Sequence, residues 1–252
     1  MTTLGKFETG QCYCTDCLDG LRALPDKCID VQLTSPPYNM RQHAYGGRTT
    51  RQKWINAALA DGYEDYDDCM PDDAYAAWQH EVLLEMARVM KDDGVIFYNH
   101  KWRILENRLN DRRDIVYDVP LRQIIIWQRC GGICFRPGFF LPTYEVIYMI
   151  AGPQFTLAPK ANALGDVWNI PQERGNPHPA PFPIELAKRV ISSTTGRVVL
   201  DPFMGSGTTA LAAESLGREW IGFERCQAFV DMCHERIDGA RAQKVLPFGD
   251  AM

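Results

Sequence analysis

An α/β domain built on a mostly parallel sheet is the fold this sequence predicts, and three observations predict it. Short β-branched and aromatic runs at 29–33, 95–98, 121–127, 144–150, 198–200 and 220–223 alternate with segments of helical periodicity. No internal repeat and no interdomain linker interrupts the alternation, so the 252 residues, 46% of them apolar, read as one domain spanning 1–252. Two strands then end in special turn chemistry, a double proline after Thr34 and Ser35 and a glycine pair after Asp201.

In chain order, residues 14–24 carry apolar positions compatible with a short helix that Pro25 and Asp26 end, and 29–33 (IDVQL) follows as a strand. Residues 34–39 (TSPPYN) sit at that strand's carboxyl end, where two prolines stop both ladder and helix and restrict the residues before them. Residues 40–66 are long and polar, and a connection of that length in a compact domain is usually functional. The clearest helix is 72–90. Tyr75, Trp78, Val82, Met86 and Val89 recur at three- and four-residue spacing, Pro71, Asp72 and Asp73 supply a start, and Gly94 follows its end. Strands are expected at 95–98 (VIFY), 121–127 (LRQIIIW) and 144–150 (YEVIYMI), with a Gly-, Arg- and Phe-rich segment at 129–141. Residues 154–176 read as irregular around Val167 and Trp168. HPAPFP at 178–183 introduces a helix over 184–192, VVLDPFMGSGTT at 198–209 reads as strand, tight turn and helix start, WIGF at 220–223 is a strand ending at Glu224, and a last helix covers 226–240.

Composition narrows the class. No apolar run reaches the length of a membrane span and the opening MTTLGKFETG lacks a signal-peptide pattern, so a soluble cytoplasmic protein with no membrane partner is expected. The nine cysteines (12, 14, 17, 28, 69, 130, 134, 226 and 233) read as reduced thiols. Zinc at Cys12, Cys14 and Cys17 is the lesser alternative, because no second paired motif answers them, and no metal is expected. A net charge of −5 gives no general electrostatic case for nucleic acid, but the charge is uneven. The stretch 41–53 holds Arg41, Arg48, Arg51 and Lys53 with no acid, and 101–113 is basic again, which fits phosphate contact over a limited face, although on charge alone solvated loops are the better reading.

The glycine turn alone is generic, since Gly205 and Gly207 lack both a third glycine and a P-loop lysine. Together with TSPPYN and HPAPFP, in that order, it resembles the S-adenosylmethionine (AdoMet)-dependent DNA amino-methyltransferases, in their permuted beta class, where the catalytic motif precedes the cofactor motif. The resemblance covers about 11–39, 71–101 and 178–237. It implies a single Rossmann-like methyltransferase domain with a mixed, mostly parallel seven-stranded sheet, helices on both faces and a small target-recognition insertion. The catalytic half would be about 11–150, target-reading segments about 40–66 and 103–177, and the AdoMet-binding half about 178–240.

Site roles follow from the same resemblance. Asp16, in TDCLDGL, matches the acid that contacts the adenine amine of AdoMet, and Phe203 would pack near the cofactor that Gly205 and Gly207 let approach. Thr34, Phe182, Asp201, Pro202, Ser206 and Thr208 complete the expected cofactor set. Glu224 ends a strand roughly 20 residues after the glycines, where an acid can accept hydrogen bonds from ribose hydroxyls. For the reaction, an aromatic amine is a poor nucleophile because its lone pair is delocalised, and acceptors aimed at its N–H groups favour attack. Ser35 and the Pro36 carbonyl are the expected acceptors, Pro37 stiffens the turn, and Tyr38 would stack on a base swung out of the duplex. A serine at Ser35 favours cytosine N4, with adenine N6 as the alternative. Arg41, Arg48, Arg51, Lys53, Arg129 and Arg136 are the expected DNA contacts on double-stranded DNA. A homodimer and a cognate restriction endonuclease are expected partners. RNA or protein-amide methylation, and a non-catalytic AdoMet- or DNA-binding subunit, are the competing readings.

Overall fold

The structure is a computed structural model and describes residues 1–39, 70–129, 138–173 and 182–245. The described strands are β1 (Thr3–Leu4), β2 (Phe7–Glu8), β3 (Gln11–Cys14), β4 (Ile29–Thr34), β5 (Met90–His100), β6 (Arg103–Leu105), β7 (Arg108–Asn110), β8 (Leu121–Gln128), β9 (Tyr144–Ala151), β10 (Val167–Asn169), β11 (Val198–Asp201) and β12 (Glu219–Glu224). The helices are α1 (Cys17–Arg22), α2 (Asp72–Val89), α3 (Arg113–Val116), α4 (Ile184–Ser192), α5 (Thr208–Ser215) and α6 (Gln227–Val245), with one 3₁₀ turn at Ala161–Leu164.

Eight strands form the main sheet in the order β10-β8-β9-β5-β4-β11-β12-β3. All pairings are parallel except those of β9, which runs antiparallel to both β5 and β8. The α/β class and the mixed, mostly parallel sheet are as expected. The eighth strand is β10, whose three residues pair with Ile126, Trp127 and Gln128 and make a strand of the Val167–Trp168 stretch that reads as irregular. The first helix begins at Cys17 rather than at residue 14, because Cys12 and Cys14 pair with Gly222 and Glu224 as part of β3.

Both sheet faces are covered, as a parallel sheet requires. On one face α1 and α2 bury Leu21, Val82, Leu83, Met86 and Val89 against Ile29, Ile96, Leu200, Ile221 and Phe223. On the other, α4, α5 and α6 bury Leu186, Val190, Ala210, Ala213 and Ile237 against Val31, Leu33, Val199 and Trp220. Alternate residues of β11 thus serve opposite cores, Val198 and Leu200 one and Val199 the other, and each fully buried aliphatic or aromatic side chain contributes about 1.5–3 kcal/mol.

The order of the strands places the site. From β4 the chain crosses by way of α2 to β5 on one side; from β11 it crosses through α5 to β12 on the other. Strands β4 and β11 are neighbours, with Val31 opposite Val199 and Gln32 opposite Leu200. The winding direction reverses between them, and the crevice beyond the carboxyl ends of such a strand pair is where α/β sheets bind ligands. Both motifs leave the sheet at that point.

Candidate active site

One buried carboxylate ties the two motifs together. Asp201, 1% exposed at the end of β11, accepts from the Thr34 hydroxyl at 2.7 Å, the Thr209 hydroxyl at 2.6 Å and the Phe203 N–H at 3.0 Å. Burial pushes its carboxyl up to about 6, opposed by those three donors and reinforced by the charge of Glu224. Thr34 and Thr208, expected as cofactor residues, are buried, and Thr34 braces the motif from within.

Beyond Asp201 the chain turns tightly. Gly205 and Gly207 have φ of 50° and 84°, the left-handed region that costs a side chain least when there is none. At Gly207 a Cβ would also lie 2.5 Å from Cys233 Sγ on α6, so the glycine lets helix and turn meet closely. Glu224, at the end of β12, reaches back with both oxygens, accepting from the Gly205 N–H at 2.9 Å and the Cys226 N–H at 2.9 Å. Ser206 is buried and its hydroxyl accepts from Arg236 at 2.8 Å. Asp16 caps α1, accepting from the Leu18 N–H at 2.9 Å, and the Thr15 N–H donates to the Glu224 carbonyl at 2.9 Å, which sets the two acids on adjacent strand ends. Phe203 meets the Trp78 ring edge-on at 5.9 Å, and Phe182 and Pro202 are buried. The expected cofactor residues on β4, β11, β12 and the β3–α1 turn therefore gather along one sheet edge.

The other half is a polar cluster that only partly follows the expected pattern. Ser35 Oγ lies 2.7 Å from Tyr38 Oη, and Tyr38 Oη donates to Glu145 Oε2 at 3.0 Å. Asn99, 1% exposed near the end of β5, directs Nδ2 to Tyr38 Oη at 2.6 Å, Glu145 Oε2 at 2.9 Å and Ser35 Oγ at 3.3 Å. Glu145 stands at the start of β9, which runs the opposite way and so begins where β4 and β5 end. Its other oxygen pairs with Arg129 at 3.1 Å, both side chains being nearly closed off, at 8% and 13% exposure. Burial and the nearby Glu145 charge push the Tyr38 hydroxyl well above its ordinary range, so it stays protonated.

The backbone of the turn is fixed from behind. The Tyr75 hydroxyl on α2 lies 2.8 Å from the Pro37 carbonyl and 2.8 Å from His100 Nε2, and Arg103 donates to the carbonyls of Tyr38 at 3.0 Å and Asn39 at 2.7 Å. His100 sits 5.1 Å from the Tyr38 ring, and burial lowers its pKa to about 3, with Arg112 adding to the effect, so it is neutral. Asn39 takes φ 54° and donates to the Met70 carbonyl at 2.7 Å, tying the end of the motif to the start of α2.

Sequence reasoning missed Asn99 and Glu145. Asn99 carried a signal, a polar residue directly after the apolar run VIFY at a strand's carboxyl end. Glu145 carried none, because an acid near the start of a strand reads as solvated. Arg129, expected at DNA, has its guanidinium engaged by Glu145 in the interior. Two cations of the 101–113 segment turn inward as well: Arg103 holds the carbonyls of Tyr38 and Asn39, and Arg112, wholly buried, pairs with Asp72 at 2.7 Å and Asp114 at 3.2 Å. Arg41, Arg48, Arg51, Lys53 and Arg136, and residues 178–181 of HPAPFP, lie outside the described residues. Among the described residues no group of His, Cys, Asp and Glu is placed to hold a metal ion, and no helix is long and apolar enough to cross a membrane. The described cysteines are free thiols, with Cys12 and Cys233 buried.

Comparison with known proteins gives concordant findings. The family model for N6- and N4-type enzymes, described as DNA methylase, matches residues 29–235. The Type II methyltransferase M.BglII of Bacillus subtilis is 26% identical over 276 positions, which span 93% of this chain and 70% of that protein. The Type II methyltransferase M.BamHI of Bacillus amyloliquefaciens is 29% identical over 255 positions, 88% of this chain and 55% of that protein. Among solved structures, the PvuII DNA methyltransferase (cytosine-N4-specific) superposes with a TM-score of 0.72 at 18% identity, over 93% of this chain and 90% of its own. A DNA modification methylase from Thermus thermophilus, complexed with S-adenosyl-L-methionine, superposes with a TM-score of 0.65 at 23% identity, over 94% and 95% of the two chains.

Proposed function

The chain belongs to the N6/N4 DNA methylase family, and we propose that within it the reaction is transfer of a methyl group from S-adenosyl-L-methionine to the exocyclic N4 amine of a cytosine swung out of duplex DNA. The observation that carries the base assignment is Ser35. At the end of β4, beside the glycine turn of β11, the group that meets the amine is a neutral hydroxyl rather than a carboxylate. The cytosine-N4 specificity of the PvuII enzyme, one of the structural relatives, accords with that choice.

The residues present fit the methyl donor. Two acids at adjacent strand ends, Asp16 and Glu224, supply acceptors for an amine and for ribose hydroxyls, and the turn at Gly205 and Gly207 presents backbone at a helix N-terminus. The donor supplies a methyl group on a positively charged sulfonium. Every other task falls to side chains of this chain. Ser35 Oγ and the Pro36 carbonyl accept the two N–H bonds of the amine, drawing it toward a pyramidal geometry in which its lone pair is available. The stiff double-proline turn, fastened by Tyr75 and Arg103, holds those acceptors at a fixed place, so most of the rate comes from positioning. The Tyr38 ring packs beside the base. Arg41, Arg48, Arg51, Lys53 and Arg136 hold phosphates. A cognate restriction endonuclease accords with the Type II designation of M.BglII and M.BamHI, and a homodimer with the short target-reading segment.

The test is chemical. The protein is incubated with tritiated AdoMet and duplex DNA, the DNA is digested, and the labelled nucleoside is identified by mass. N4-methylcytosine supports the assignment. N6-methyladenine overturns the choice of base, and label in RNA or protein but not in DNA overturns the substrate class.

A further inference from the structure

We propose that Glu145, held by Arg129, is a positioning residue that sets the direction of the hydrogen-bond chain Glu145–Tyr38–Ser35 and thereby presents Ser35 to the target amine as an acceptor. The inference deepens the methyl-transfer reading and rests on it.

The direction of the chain follows from a count of protons. Arg129 is a donor only, so Glu145 Oε1, 3.1 Å away, must accept. Asn99 Nδ2 has two hydrogens, and its shorter contacts are Tyr38 Oη at 2.6 Å and Glu145 Oε2 at 2.9 Å. The neighbouring carboxylate also fixes which way the amide faces, since the oxygen of Asn99 could not be turned toward it. Tyr38 Oη therefore already receives one hydrogen, and its own single proton has two places to go: Glu145 Oε2 at 3.0 Å or Ser35 Oγ at 2.7 Å. A hydrogen bond to an ionised acceptor is roughly twice as strong as one between neutral groups, so the proton goes to Glu145. The Ser35 hydroxyl then donates to the second lone pair of Tyr38. Its proton is turned inward and its free lone pair faces the crevice. An amine with two N–H bonds meets an acceptor there rather than a competing donor.

Arg129 also dictates what happens when the charge is removed. In E145Q the carbonyl of the new amide stays with the guanidinium, which can only donate, and the amide NH2 faces Tyr38. With Asn99 keeping its NH2 toward Tyr38, Tyr38 accepts from both amides, passes its proton to Ser35, and turns the serine proton out into the crevice. A donor opposes the amine's own N–H. Side-chain volume is almost unchanged, and the residues expected to bind AdoMet on β11, β12 and after β3 lie on the other side of β4.

The experiment is single-turnover methyl transfer to duplex DNA by the full chain, with AdoMet affinity and thermal midpoint measured on the same samples. For Glu145→Gln the transfer rate of folded protein falls roughly ten- to a hundredfold, the scale of one reversed or lost hydrogen bond at a reacting atom, while AdoMet affinity stays at the wild-type value and the midpoint falls because Arg129 loses its buried counter-charge. Glu145→Asp, which keeps an acceptor-only carboxylate, retains more activity than the glutamine variant. In a Tyr38→Phe background, where the chain is already cut, the same Glu145→Gln change costs less than twofold. The proposal is overturned if the glutamine variant transfers methyl at the wild-type rate, or if its loss is equally large in the Tyr38→Phe background. Should the glutamine variant fail to fold, Tyr38→Phe alone reads the chain: a several-fold loss of rate supports it and wild-type rate overturns it. Wild-type protein that leaves no label in DNA would instead sink the methyl-transfer reading itself.

Discussion

Replacing Gly207 by alanine tests the turn proposed to cradle the cofactor. The perturbation has two separable parts. The backbone there has φ 84°, and holding an L-residue in the left-handed region costs about 1–2 kcal/mol. The new Cβ would also stand 2.5 Å from Cys233 Sγ and 3.1 Å from its Cβ, well inside contact distance. Relieving such an overlap in a packed interior typically costs a further 1–3 kcal/mol, roughly. The expected loss is thus about 2–5 kcal/mol, a large share of the roughly 5–15 kcal/mol that stabilises an ordinary domain. Urea unfolding of the wild type, the Gly207→Ala variant and a Gly207→Ala/Cys233→Ala double variant separates the parts. Removing the sulfur relieves the closest contact only, so, measured against Cys233→Ala alone, the glycine replacement costs less but still carries its backbone penalty. AdoMet affinity, followed by calorimetry, falls with the single variant because the displaced turn is the proposed cradle. A Gly207→Ala protein within about 0.5 kcal/mol of wild type, at an unchanged urea slope, would refute the reasoning.

Two buried titrating groups give pH predictions of opposite sign. The Asp201 carboxyl is raised to about 6 from 3.8, so its contribution to stability is present at low pH and lost as pH rises through 6. Asp201→Asn, which stays neutral, should accordingly gain about 1 kcal/mol relative to wild type between pH 5 and pH 7 in chemical unfolding. His100 is lowered to about 3 from 6.5, so its contribution is present above 6.5 and lost as pH falls toward 3. A His100→Gln variant should lose about 2 kcal/mol less than wild type on going from pH 7 to pH 5, and equal losses would contradict the buried, neutral imidazole. Tyr75→Phe removes the hydroxyl beside the Pro37 carbonyl and should cost about 1 kcal/mol of stability, with a larger proportional loss of methyl-transfer rate than of AdoMet affinity.

Much of the architecture was readable because local chemistry and tertiary role coincide. The runs IDVQL and VVLD are buried on both faces, and each ends in residues that cannot continue a strand, so both strand and turn are visible without partners. The strands least readable were those defined by their neighbours. Gln11–Cys14 is short and half polar, and only pairing with β12 makes it a strand. Val167–Asn169 owes its extension to three ladder partners on β8. The same division runs through the site. Ser35, Tyr38, Asp201 and Glu224 sit within or directly after their motifs, whereas Glu145 and Arg129 are joined by the antiparallel register that sets Trp127 opposite Glu145. A local scan sees an arginine in a Gly- and Arg-rich stretch and assigns it to phosphate. The hairpin turns that arginine toward the one carboxylate in the cluster.

The central claim is that the end of β4 receives the amine while the end of β11 receives the methyl donor, two functions on neighbouring strands. Its most direct test is the single-turnover methyl-transfer rate of Ser35→Ala, with AdoMet affinity measured on the same preparation. The account predicts a rate lower by about a hundredfold or more, the scale seen when one stabilising contact to a reacting group is lost, with affinity unchanged within about twofold. Transfer at the wild-type rate, or a loss of affinity as large as the loss of rate, would contradict it.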